Sequence, residues 1–182
     1  MTRSTARLSV IIGAIGLVTM LTLSSVGFTQ GHMTDARVQA RALCAPHRPA
    51  GTVVHVTLSD QGSTMMVGGT VMMVSLYASP SLVHAGEVTF VATNVGALTH
   101  ELLIVPAPRN GVGSRDIKSN GTIDESSSLA EASSACGADR GAGITPGTSS
   151  WVTLRLTPGH YELLCDEPWH YANGMYQGFG VQ

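Results

Sequence analysis

"CDEPWHYANGM", residues 165–175, is the stretch whose reading decides the fold. It sets Cys165, His170 and Met175 in one run, with four residues between successive members. Singly, each has an ordinary use. A free cysteine is a common small core residue, and a methionine fills gaps in cores; a lone histidine is more often a surface residue than a ligand. Together they form a soft donor set of thiolate, imidazole and thioether, suited to copper and poorly suited to magnesium or calcium. Zinc would call for paired cysteines or further histidines, and a thioether adds little to it. Equal four-residue gaps let a strand end, cross over and return all three side chains to one point. A trigonal copper site needs a second histidine. His100, in "NVGALTHELLIV" (94–105), stands where a loop meets an apolar strand and could deliver it.

Working outward from this stretch, the chain reads as short β-runs punctuated by turns. Val53–Leu58 alternates, with Val54, Val56 and Leu58 on one face, and Asp60-Gln61-Gly62-Ser63 reads as a turn. Thr70–Tyr77 is a second strand. Glu87–Thr93 places Val88, Phe90 and Ala92 on one side, and Glu101–Val105 follows. Trp151–Leu156 and Tyr161–Cys165 are joined by Thr157-Pro158-Gly159, and Tyr176–Val181 closes the set. Turn signals at this density predict an all-β, antiparallel Greek-key sandwich or barrel over residues 51–182. Between Pro106 and Ile144 the pattern breaks into Gly, Ser, Asn and Asp. This reads as an insertion (106–144) with a short helix at Ser128–Ala135, where Ser128 and Glu131 would form a capping box.

The N-terminal 28 residues read differently. Arg3 and Arg7 precede the apolar run Leu8–Leu23, and no acid appears before Asp35. This is the pattern of an export signal, with small residues at Ser25-Val26-Gly27 for cleavage. The run is also long enough to serve as an apolar membrane-anchoring helix. Residues 29–50 read as a linker. Without the two leader arginines the net charge moves from −2 to −4, which argues against a nucleic-acid partner. Three cysteines, Cys44, Cys136 and Cys165, leave one over in an exported protein. The simplest division bridges Cys44 to Cys136 and keeps Cys165 free.

The segments "TPGHYELLCDEPWHYANGM" (157–175) and "AGEVTFVATNVGALTHELLIV" (85–105) resemble the copper loop and the first-ligand segment of the cupredoxins, the type 1 blue copper proteins. The equal gaps are similar to those of the rusticyanin and sulfocyanin branches. The resemblance implies a cupredoxin-like sandwich with one copper ion. His100, Cys165 and His170 would be its equatorial ligands and Met175 the weak axial one. Glu101 stands where relatives often carry Asn or Ser. The resemblance further implies a carrier of single electrons between redox proteins, membrane respiratory components among them, on the outer face of the cytoplasmic membrane. An apolar shell of Pro168, Trp169 and Tyr171 would favour the reduced ion, and His170 would present its ring edge near the surface.

A rival reading is a copper chaperone or store that also uses the pairs Met65-Met66 and Met72-Met73. Adjacent strand residues point to opposite faces, so each pair offers one sulfur per side and reads more readily as packing. An oxidase or nitrite reductase would need further ligands, commonly His-X-His pairs, and the chain has none. A Cys–His hydrolase would leave the methionine unexplained. No enzymatic activity is therefore expected. His55 and His84 lie in strand patterns without partners, and His32 and His47 fall in the linker.

Overall fold

The computed structural model describes residues 48–182, except the backbone of 67–68 and the side chains of 61–72. The leader, nearly all of the linker, Cys44, and the side chains of Met65, Met66 and Met72 therefore lie outside the described residues. Among the described residues no helix is long and apolar enough to cross a membrane.

Among the described residues, ten strands form two five-stranded sheets. The first contains β1 (Thr52–Met66), β2 (Gly69–Ser79), β4 (Gly86–Asn94), β7 (Gly137–Ala138) and β8 (Ser149–Leu156), in the order β2-β1-β4-β8-β7. The second contains β3 (Leu82–Val83), β5 (Leu102–Pro106), β6 (Ala130–Ala132), β9 (Gly159–Leu164) and β10 (Tyr176–Val181), in the order β3-β10-β9-β5-β6. Both sheets are mixed rather than purely antiparallel, because β1 runs parallel to β4, β3 to β10 and β7 to β8. Two of these pairs, β1 with β4 and β3 with β10, join strands that are not consecutive, which a sequence-local reading does not see.

The inner faces follow the alternation of the sequence. Val54, Val56 and Leu58 of β1 and Val88, Phe90 and Ala92 of β4 are at most 1% exposed. Across the gap lie Leu102, Ile104, Leu163, Cys165, Met175 and Phe179, in the same cluster. Phe90 meets Phe179 edge to face, with ring centroids 5.1 Å apart. Burying a side chain of this kind contributes about 1.5–3 kcal/mol. Gln177 links the two sheets: its Oε1 accepts from the Ala78 N–H at 2.8 Å and its Nε2 donates to the Ala78 carbonyl at 3.3 Å.

β5 and β9 do not alternate. Leu102–Val105 and Tyr161–Leu164 are buried throughout, Glu162 included, as strands are when both faces are covered. The cover is the insertion. Ile123 packs with Leu103, Val105, Leu164 and Tyr171 on the outer face of the second sheet. Glu162, fully buried on that face, accepts from Arg115 Nε at 2.6 Å and from the Gly113 N–H at 2.7 Å.

Two local expectations are corrected. Ser128–Ala135 is not a helix. Ala130–Ala132 pairs with Leu102–Ile104 as an edge strand, and the only helical turn nearby is a 3-10 turn at Glu125–Ser127. The open edge of β5 presents unpaired backbone groups, and meeting them outweighs the weak propensity of so short a helix. Glu131 is turned to Arg140 Nε (2.7 Å) and Ser133, so no capping box forms. Likewise Asp60–Ser63 is not a turn. β1 continues through it, with one extra residue between Asp60 and Ser63 relative to β2, which is a β-bulge. The insertion contributes β6 to one sheet and β7 to the other, so it closes one edge of the sandwich. Cys136, just before β7, is disulfide-bonded, and Cys165 is free and buried.

Candidate metal centre

The end of β9, the start of β5 and the start of β10 meet at one end of the sandwich. Cys165 immediately follows β9, and its N–H donates to the Met175 carbonyl at 3.1 Å, just before β10 begins. The nine residues between fold back on themselves. The His170 N–H donates to the Glu167 carbonyl, Tyr171–Asn173 forms a 3-10 turn, and Gly174 closes it at φ +92°. The Met175 N–H then returns to the His170 carbonyl at 3.1 Å. A left-handed residue ending the turn is why glycine stands at 174.

His100 arrives from another direction. Asn94, at the end of β4, folds the loop before it. Its Nδ2 donates to the carbonyls of Leu98 and Ile144, each at 2.7 Å, while its Oδ1 accepts from the Gly96 N–H. Backbone bonds between His100 and Ile144 in both directions seat the histidine.

These elements bring three donor atoms together. His100 Nδ1 lies 3.2 Å from His170 Nδ1, and Cys165 Sγ lies 3.4 Å from His170 Nδ1. All three donor atoms lie within 4.8 Å of one another, and the three side chains are buried, with His170 5% exposed. Donors held about 2.0–2.3 Å from one ion in a trigonal arrangement are separated by about 3.5–3.8 Å, close to these spacings. Met175, fully buried, packs in the same cluster as Cys165. All four residues singled out in the sequence are therefore at this end of the fold, and the imidazole and thiol donors fit a soft transition-metal ion.

The electrostatics suit metal more than proton. Burial, and then the neighbouring His100, push the His170 imidazole down to about 4, with Asp60 opposing. Burial also lowers His100, against the pull of Asp60. The Cys165 thiol is pushed far up by burial, although backbone N–H groups of Glu101 and Glu167 point at its sulfur. The Glu101 N–H reaches Sγ at 3.4 Å. The backbone of Glu101, and not its side chain, thus serves the cysteine. Its carboxyl joins Glu125 and Asp166 in an acidic group, and burial followed by Glu131 and the other acids raises it to about 8.

Two residues near the ligands were not legible as partners. Asp60 has a side chain only 2% exposed, and its Oδ1 lies 3.0 Å from His100 Nε2. Burial alone would raise its carboxyl, but hydrogen bonds from Leu98, His100 and Ala97 outweigh this and hold it below its ordinary value. Gly121, deep in the insertion, accepts from the Trp169 N–H at 2.9 Å. Ile123 N–H donates to Asp166 Oδ1 at 2.6 Å and the Arg115 N–H to Tyr171 Oη at 3.1 Å, so the insertion grips the ligand loop at three points. The expected apolar shell is changed in consequence. Pro168 and Trp169 are exposed, Trp169 by 48%, and Tyr171 is buried under the insertion rather than among the ligands. His55 and His84 are exposed.

No protein-family profile matches the chain, and no curated protein does. Solved structures do. A reduced auracyanin from Roseiflexus castenholzii is 19% identical over 73% of this chain and 98% of its own, with a TM-score of 0.47. Auracyanin A from Chloroflexus aurantiacus, described as a "blue" copper protein, is 18% identical over 71% and 99%, with a TM-score of 0.43. Rusticyanin from Thiobacillus ferrooxidans is 19% identical over 81% and 91%, with a TM-score of 0.40.

Proposed function

We propose that this chain is a mononuclear type 1 copper protein that carries single electrons between redox partners. The observation that carries the reading is the buried convergence of His100 Nδ1, His170 Nδ1 and Cys165 Sγ at 3.2 and 3.4 Å. Bound copper would supply one-electron chemistry between its +1 and +2 states. His100, His170, Cys165 and Met175 would hold it. The chain's own part is to keep these donors still. Cys165 and Met175 are fixed by the β9–β10 ladder, His100 by Ile144 and Asp60, and the ligand loop by the insertion. Little then has to move as the charge changes.

The rival, a chaperone or store, needs ligands that an acceptor can reach. The burial of all four residues supports the carrier instead. His170, buried but 5% exposed, is the least enclosed of the three side chains, and the exposed Trp169, Leu98 and Val95 flank the two histidines in sequence. This face would meet the redox partner. Export, anchored or secreted, is supported by the leader pattern, and the sequence of the mature N-terminus tests it. The function is tested by the visible spectrum of copper-loaded, oxidised protein. An intense thiolate-to-copper band that disappears in Cys165→Ser is expected. A colourless copper complex would end the type 1 reading.

A further inference from the structure

Asp60 comes from the opposite sheet to Cys165 and sits at the bulge of β1, where the strand bends. Bulges beside functional sites re-aim a side chain. Here one oxygen, Oδ1, faces three donors: the Ala97 N–H at 2.8 Å, the Leu98 N–H at 2.9 Å and His100 Nε2 at 3.0 Å. The space is built for it. A Cβ on Gly96 would stand 2.0 Å from that same oxygen. The loop that carries His100 is therefore wrapped around the carboxylate, and the carboxylate holds the ring by the nitrogen facing away from the other donors.

We propose that Asp60 is the positioning residue of the centre: it fixes the proton of His100 on Nε2, leaves Nδ1 bare for the metal, and sets the reduction potential through its negative charge. An acceptor-only oxygen at Nε2 requires the N–H there, so the second ring nitrogen is the acceptor. A carboxylate behind a ligating imidazole raises the ligand's basicity and favours the more highly charged ion. In the one-electron step, Cu(II) plus one electron gives Cu(I) with no proton taken up. The charge of Asp60 stays in place and stabilises the oxidised side of that couple. The proposal rests on the copper reading for its potential, but its tautomer claim concerns the metal-free chain.

Both parts are tested with full-length protein and the variants Asp60→Asn and Asp60→Ala. Nitrogen-15 shifts of metal-free wild type should show His100 protonated at Nε2, with the preference lost in Asp60→Ala. Asn keeps the accepting oxygen and drops the charge. Copper-loaded Asp60→Asn should keep its colour, while the reduced-to-oxidised ratio at a fixed electrode potential rises about tenfold or more. Asp60→Ala should weaken copper binding about 10–100-fold. An unchanged potential in Asp60→Asn, or a wild-type His100 protonated at Nδ1, overturns the proposal. If wild type takes up no copper, the functional reading fails and the tautomer measurement alone decides the role of Asp60.

Discussion

His100 Nδ1 and His170 Nδ1 face each other at 3.2 Å, although seventy residues separate them in the chain. Two bare lone pairs at this distance repel, so without metal one ring must donate to the other. Asp60 occupies Nε2 of His100, which leaves His170 as the donor. The same nitrogen of His170 lies 3.4 Å from the thiol of Cys165. One proton-bearing nitrogen, one bare nitrogen and one thiol thus share a volume that a single ion can take over.

Loading that volume with metal should release a proton, and its source is Cys165. Burial keeps the thiol protonated in the metal-free chain at neutral pH, whereas metal binds the thiolate. His170 can keep its proton by moving it to the other nitrogen. About one proton per metal ion should appear in weakly buffered solution at pH 7, read by a pH indicator during titration. Cys165→Ser should release none, and equal release from both proteins would contradict this assignment.

Met175→Leu separates the proposed axial sulfur from its packing. A Leu for Met exchange at a buried position costs less than about 1.5 kcal/mol, so the fold should survive. The thioether that favours the oxidised ion is removed, and the reduction potential should rise while copper stays bound. Voltammetry of the two proteins checks this. A lower potential would contradict the axial role.

The candidate donors were legible because metal chemistry restricts residue type and a hairpin restricts spacing. Cys165, His170 and Met175 declare themselves within eleven residues. The inner faces of β1 and β4 were legible because the pleat imposes a period of two. Ala130–Ala132 was not, because its strand identity depends on the free edge of β5, a feature of the assembled sheet. Nor was Asp60, whose carboxylate looks like any turn acid until the bulge and the Gly96 loop bring it to His100. The unbroken apolar run Leu102–Val105 implies cover on both faces of β5, and the insertion is that cover.

Gly121 tests the insertion as a clamp. It lies at φ +89°, and a Cβ there would come within 2.8 Å of both the ring and the backbone nitrogen of Trp169. Backbone in that region costs a non-glycine residue about 1–3 kcal/mol, before any clash. Gly121→Ala should therefore lower the denaturation midpoint of the metal-free protein and shift the fluorescence of Trp169. Because Trp169 adjoins His170, electron self-exchange of the copper-loaded variant should slow as the loop loosens. Wild-type behaviour in all three measurements would show that the insertion does not hold the loop.

Glu101 makes the stability of the metal-free protein depend on pH, with a definite sign. Its carboxyl is raised from an ordinary 4.5 to about 8, chiefly by burial and then by Glu131. Between those values the folded chain binds more protons than the unfolded one, so stability falls as pH rises. His170, lowered from 6.5 to about 4, acts in the other direction, and only below pH 6.5. The window from 6.5 to 8 therefore isolates the acids. In Glu101→Gln the fall in urea midpoint across that window should be shallower than in wild type. It should not vanish, because Asp166 and Glu167 are raised as well. Identical slopes would mean that Glu101 ionises as freely in the folded chain as in the unfolded one, against its burial beside Asp166.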